Sequence, residues 1–323
     1  MRGLASYIIR RILFMIPVFL GVSILTFVIT NAAGNPIDLI RVGLKKVSPQ
    51  VIAALERYYH IDQPLYVRYL YWLWDMLHLD LGVSLSGVPV ADKIGPWVLT
   101  TLELQIPALI LALAIGVAVG VYSAVRQYSK GDIAVTTVAL FGYSMPTFWL
   151  GLMSIIVFSL YLGWLPSAGA RGVTKIWWGS EIGDAIAHLI LPLSILTYVQ
   201  VATFVRLIRG NMLQVLREDY ILAARASGLS ERAVVYKHAL RNAITPVVTV
   251  VGLSFGSALA GAPALETTFS WPGLGYQFVR AAFSLDLPLI VGITVIITIM
   301  LMVANLLTDL AYVIVDPRVR LTR

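Results

Sequence analysis

Arg206-Leu207-Ile208-Arg209, then Arg217-Glu218-Asp219-Tyr220-Ile221-Leu222-Ala223-Ala224-Arg225-Ala226-Ser227-Gly228-Leu229-Ser230, then Val235-Tyr236-Lys237-His238-Ala239-Leu240-Arg241-Asn242-Ala243 make a charge-dense, basic stretch between two very apolar segments. Glu218 and Asp219 stand where the first turn of a helix favours acidic groups. Residues 221–226 are good helix formers, and Gly228 follows them as a left-handed cap. Ser230 then caps a second helix over residues 231–240. The stretch reads as helix, glycine, helix. Small Ala223, Ala224 and Ala226 permit close approach to another surface, and Arg225, Arg232, Lys237 and Arg241 put charge at its rim. A bent helical pair of this kind suits insertion into a groove on a soluble partner. The competing reading is an ordinary loop made basic by its side of a membrane.

The rest of the chain says which solvent surrounds it. It is 59% hydrophobic and 13% charged, with a mean hydropathy of +0.83. That leaves too little polar material to cover a soluble domain of 323 residues, so the bilayer is its solvent. A span needs about 20 apolar residues. Six stretches qualify, near residues 12–32, 99–121, 135–162, 186–205, 244–261 and 288–313. The expected fold is all-α, a single polytopic membrane domain of six transmembrane helices. The first run is longer than the 7–15 residues of a cleaved signal, so it reads as a retained anchor.

Lys and Arg set the orientation. Arg2, Arg10 and Arg11, then Arg126 and Lys130, then seven basic residues in the 206–243 loop, then Arg318, Arg320 and Arg323 fall on one side. That side is expected to be cytoplasmic, with both termini, in a cell (inner or plasma) membrane. Topology accounts for the pI of about 9.6 without nucleic acid as a partner. The outer segment, residues 34–98, is expected to hold two amphipathic helices at the membrane surface, one begun by Ser48-Pro49 and one by Pro64. Their simplest role is to pack on the spans. Four glycines make the 166–184 loop irregular. Pro272, Gly273 and Gly275 break any helix in the next one, which reads as a re-entrant or capping segment.

Here a resemblance becomes specific. Ala223-Ala224-Arg225-Ala226-Ser227-Gly228-Leu229 with Lys237-His238-Ala239-Leu240-Arg241-Asn242-Ala243 resembles the coupling loop of ABC-importer permeases, nearest the dipeptide/oligopeptide branch. The general pattern is Glu-Ala-Ala, three residues, Gly, nine residues, then Ile-x-Leu-Pro. Leu222 stands in the Glu position, Ala223, Ala224, Gly228 and Leu240 match, and His238 and Arg241 follow that branch's own variant. Ile61-Asp62-Gln63-Pro64-Leu65-Tyr66-Val67-Arg68-Tyr69 with Asp80-Leu81-Gly82 resembles the branch's first outer loop. Phe269-Ser270-Trp271-Pro272-Gly273-Leu274-Gly275 resembles its last, and Asn305-Leu306-Leu307-Thr308-Asp309 with Asp316-Pro317-Arg318 its C-terminus. The four matches, in the family's order, cover nearly the whole chain.

The resemblance implies a type I importer fold and a permease that forms half of a pore. It implies a second homologous permease subunit, two cytoplasmic ATPases and an extracytoplasmic substrate-binding protein as partners. Ala223, Ala224, Arg225, Gly228 and Leu240 are then the ATPase contact. The solutes it implies are peptides, with oligosaccharide or nickel also handled in the branch. The chain has no Gly-x-x-x-x-Gly-Lys-Ser/Thr phosphate loop, so ATP and Mg belong to the partner subunits and this chain needs no cofactor.

Other chemistry finds little footing. There is no cysteine and no His-Glu-x-x-His pair among the four histidines, which removes thiolate chemistry and the zinc-protease motif. His188 reads as a packed or hydrogen-bonded residue. Ser144, Ser154, Ser254 and Ser257 have no neighbouring base that would make a nucleophile. Asp309 and Glu103 lie near span ends, where a structural partner is the simpler reading. Tyr143, Ser144, Gln200, Ser254 and Ser257 are the candidates for lining a pore. The alternative function is an ion-coupled secondary carrier working without ATPases.

Overall fold

Ala108, Ala112, Gly116, Gly120 and Ala124 recur at every fourth position along a helix that the computed structural model places at Val90–Val125. The structure describes residues 2–33, 57, 60–173 and 176–315. Its helices in chain order are α1 (Arg2–Ala33), α2 (Leu65–Leu77), α3 (Val90–Val125), α4 (Lys130–Ser144), α5 (Thr147–Tyr161) and α6 (Glu181–Val215). There follow α7 (Asp219–Ala226), α8 (Glu231–Ala243), α9 (Thr245–Leu259), α10 (Pro263–Thr268), α11 (Leu274–Phe283) and α12 (Leu287–Val315). Among the described residues the only β pairing is an isolated bridge between Val83 and Pro89.

The small-residue stripe lets α3 lie against α6. All five positions are buried. A methyl group on Gly120 would sit 2.9 Å from the Ile208 Cβ, and one on Gly116 would collide with Phe204. Lipid tails are as apolar as the side chains, so helices in a bilayer adhere by this close fit rather than by escape from water. Beyond the pair, α4 packs on α6, α9 packs on α3 and α12, and α1 packs on α12. Gly252 of α9 is pressed onto Thr308 of α12 in the same way.

Among the described residues four helices are long and apolar enough to cross a membrane: Ile8–Ala32 within α1, α3, α6 and Leu287–Leu310 within α12. Two bent pairs raise the number to six if each counts as one span. The stretch expected as a span over 135–162 is bent: α4 and α5 meet at 103°. Met145 is extended (φ −86°, ψ 135°), the conformation that the ring of Pro146 favours in the residue before it. The second pair, α8 and α9, bends by 51° next to Pro246. The 15 residues of α9 reach only about 22 Å at 1.5 Å per residue, short of the ~30 Å hydrocarbon core. α3 and α6 overrun the stretches expected at 99–121 and 186–205, each continuing past both limits.

Buried carboxylates clamp the end of the bundle opposite α7. Glu266 is fully buried and accepts from the backbone N–H groups of Ala262 (3.1 Å) and Tyr276 (3.0 Å) and from the Thr101 hydroxyl (3.4 Å). Gly261, Gly273 and Gly275 surround it, and a methyl group on Gly273 would come 2.6 Å from its Oε2. The glycines of the 273–275 turn therefore let backbone close around one carboxylate. Asp286 accepts from the Ser84 hydroxyl at 2.5 Å and the Leu85 N–H at 3.1 Å, joining the segment after α2 to the start of α12. Asp184 holds the irregular 166–180 loop by accepting from Gly172 N–H (2.6 Å) and Trp177 N–H (3.0 Å).

The helix expected after Pro64 is α2. It packs on the spans as its apolar pattern requires: Met76 is buried against Val291 and Val295, and the Tyr69 hydroxyl lies 2.8 Å from that of Ser23 on α1. The helix expected from Ser48-Pro49 lies outside the described residues. His188 is buried with Nδ1 2.8 Å from the Asp184 carbonyl, and Asp309 forms an ion pair with Arg11. Glu103 is exposed.

Candidate functional site

The 217–241 stretch carries five basic and three acidic side chains, and its fold separates a buried base from an exposed tip. α7 runs eight residues from Asp219 and stops at Ser227. Gly228 follows with φ +78°, the left-handed position where a Cβ is disfavoured. Ser230 then accepts from the Ala233 N–H at 3.4 Å and starts α8. Within α8 the backbone widens to a π-turn over Val234–Ala239. The wider turn lets adjacent Val234 and Val235 both face inward, where they are 0% and 4% exposed.

Ile221, Val234, Val235, Ala239 and Ala243 form one apolar cluster with Phe204, Ile208 and Met212 of α6 and Ala112 and Val121 of α3. The knob is thus seated on the bundle rather than hung from it. Two polar ties close the helical pair. Asn242 Nδ2 donates to the Tyr220 hydroxyl at 2.8 Å. Arg225 grips Glu231 with both sides of its guanidinium, Nε to Oε2 at 3.2 Å and Nη2 to Oε1 at 2.8 Å. The pair holds the Glu231 carboxyl below and the Arg225 guanidinium above their ordinary values, each through its hydrogen bond to the other.

Outward, Ala223, Ala226 and Gly228 are exposed with Leu222 (52% exposed) and Leu229 (42%), set among the exposed charges of Arg225, Glu231 and Arg232. Of the residues singled out from sequence, Ala223, Arg225 and Gly228 are exposed at this tip. Ala224 and Leu240 are partly buried against the apolar cluster beneath. Arg225 meets Glu231 of its own chain. No neighbouring atom comes within 4 Å of a Cβ built on Gly228, so bulk there would project outward.

The pore candidates lie on different elements. Tyr143 and Ser144 are exposed at the end of α4, beside the 103° bend. Gln200 is half-buried on α6. Ser254 and Ser257 lie on α9, where Ser257 donates to the Leu253 carbonyl of its own helix at 2.8 Å. Tyr143 faces Arg206, whose guanidinium carbon is 4.6 Å from its ring centre. Sequence reading missed two anchors. Asp132, near the start of α4, takes Arg209 Nε and Nη2 at 2.8 Å each and also the Ser123 hydroxyl, tying α3, α4 and α6 together. Its signal was an aspartate three residues after Ser129, just before an apolar run. Glu266 is the second, flagged by a lone charge beside three glycines. Among the described residues no three His, Asp or Glu side chains gather as a metal site would require.

Comparison with known proteins gives this arrangement its context. The oligopeptide transport system permease protein AppB of Bacillus subtilis is 43% identical over 324 residues, covering 98% of this chain and 99% of that one. The dipeptide transport system permease protein DppB of Escherichia coli K12 is 40% identical over 335 residues, covering 98% of each. Among solved structures, a chain of the MetNI methionine ABC transporter in an inward-facing conformation superposes with a TM-score of 0.53 at 17% identity, over 69% of this chain and 96% of that one. That likeness is one of fold. Residues 116–321, which include the knob and the part of its seat on α6, match the model of the binding-protein-dependent transport system inner membrane component. With nearly two thirds of its length inside that match and full-length relatives at this identity, the chain belongs to the binding-protein-dependent transport system inner membrane component family.

Proposed function

We propose that this chain forms half of the translocation pore of an ATP-driven peptide importer, and that the knob of α7 and α8 is where a cytoplasmic ATPase grips it. In this reading a second, similar permease completes the pore. Two ATPase subunits bring ATP and Mg, and an extracytoplasmic binding protein delivers the solute. The side bearing α7 and α8 is cytoplasmic, as are both termini, and six spans cross the cell membrane. The exposed face of the knob carries Ala223, Arg225 and Gly228 toward the ATPase, while Ala224 and Leu240 hold that face on the bundle.

One observation carries the proposal: a helical pair whose base is sealed into the bundle core and whose tip exposes alanine, glycine and two leucines. A loop kept only for topology has no need of such a seat. The names of the full-length relatives supply the peptide class. The test is Ala223→Trp, which puts bulk on an exposed helical position without disturbing the chain's own packing. Purified with its operon partners, the variant should insert and fold normally, yet co-purify at least tenfold less ATPase. Normal ATPase recovery and solute uptake would sink the assignment.

A further inference from the structure

Arg206 and Tyr143 frame a cleft of about 140 Å³ between α4 and α6, floored by Ala139, Leu140, Ala202 and Val205. Its charge is unbalanced. Arg209, one turn away, is neutralised by Asp132, whereas no carboxylate among the described residues pairs with Arg206, which lies only on the Tyr143 ring. The direction in which Arg206 reaches is informative. Asp132 stands at the start of α4 and Tyr143 at its far end, eleven residues and about 16 Å along the helix at 1.5 Å per residue. Arg209 reaches back to the first, and Arg206 reaches toward the second. An arginine facing lipid extends its charge to the nearer headgroup layer. Arg206 instead carries its charge toward the bend between α4 and α5, a placement that requires water or a charged visitor.

We propose that Arg206, stacked on Tyr143, is a specificity-determining residue on the translocation path that receives the carboxylate of the passing solute. This rests on the importer reading above and deepens it. A planar guanidinium held on an aromatic face keeps its edge donors free for two parallel hydrogen bonds to a carboxylate. The small apolar floor accommodates aliphatic side chains. A metal cation is repelled here, and an uncharged oligosaccharide leaves the positive charge unmatched. The site therefore selects peptides with a free C-terminus.

The absence of cysteine from the chain gives a clean test. Ala139→Cys places a reporter thiol on the cleft floor while leaving Arg206 and Tyr143 intact. In the assembled, nucleotide-free complex in nanodiscs, an uncharged, hydrophilic, membrane-impermeant thiol reagent should label it, with the modification read on this chain by mass. Millimolar trialanine should slow labelling several-fold, and trialanine amide should not. Adding Arg206→Gln should leave the ligand-free rate intact and abolish protection, and Arg206→Lys should keep part of it. Labelling only by a lipid-partitioning maleimide would overturn the proposal by placing the cleft against lipid. Protection equal for acid and amide, or none, would overturn the carboxylate role. The readout needs no ATP, so it is separable from the Ala223→Trp test: normal ATPase recovery there, which sinks the docking assignment, leaves this result standing, and the reverse holds.

Discussion

At the scale of a residue, Glu266 shows why a charge persists in an apolar protein. Its carboxylate gathers hydrogen bonds from two helix starts and from Thr101 of α3, so one side chain satisfies backbone donors that α10 and α11 would otherwise leave unpaired. Burial pushes the carboxyl above its ordinary value, and the surrounding donors pull it back. A carboxyl whose value is raised by folding favours the folded chain while it holds its proton. That contribution shrinks as pH rises from the ordinary carboxylate range through the raised value. Glu266→Ala should remove this pH dependence and, by stranding buried donors, cost on the order of 3 kcal/mol. Thermal unfolding of the purified chain across pH checks both parts. An unchanged melting temperature would mean that water replaces the carboxylate without penalty.

At the scale of an element, the knob was legible because its caps are local. Gly228 and Ser230 act on the residues beside them, and the structure places them as the left-handed cap and the N-cap that their chemistry dictates. The π-turn was not legible, since it answers to where two valines must point in three dimensions. Pro146 was visible as a residue, but whether a proline kinks a span or breaks it depends on what packs around it. The α3 stripe was in plain view as a period of four small residues, yet a period alone does not say which helix it meets. Phe204 and Ile208 answer that only in the fold. Gly120→Val tests the stripe, since its branched side chain would drive into Ile208, whose Cβ would stand 2.9 Å from even a single methyl group there. Overpacking of this kind costs roughly 1–3 kcal/mol. The expected outcome is a lower melting temperature, partly restored by the compensating change Ile208→Ala. Failure of the second change to rescue would place the close contact elsewhere.

At the scale of the whole molecule, the two largest of four apolar clusters among the described residues lie toward opposite ends of the bundle. One begins under the knob at Ile221 and runs through Ile208 and Phe204 to Ala112 and Leu109 of α3. The other, around Leu104, Leu191, Leu265 and Trp271, fills the opposite end beside Glu266. A displacement of the knob therefore meets close-packed side chains at once, and packed interiors pass strain on rather than absorb it. Ile221 is the joint, fully buried at the base of α7 although its neighbours Tyr220 and Leu222 are exposed. Truncating it opens a cavity between knob and bundle at a cost of roughly 2–5 kcal/mol, while the exposed tip with Ala223 and Gly228 stays in place. In the importer reading, Ile221→Ala should keep its ATPases and their hydrolysis rate yet move less solute per ATP consumed. Ala223→Trp, in contrast, should lose the ATPases themselves. Uptake and phosphate release measured together in proteoliposomes distinguish the two. A variant at Ile221 with an unaltered ratio of solute to phosphate would show that force enters the spans through the chain connections at Leu216 and Ile244 rather than through the packed seat.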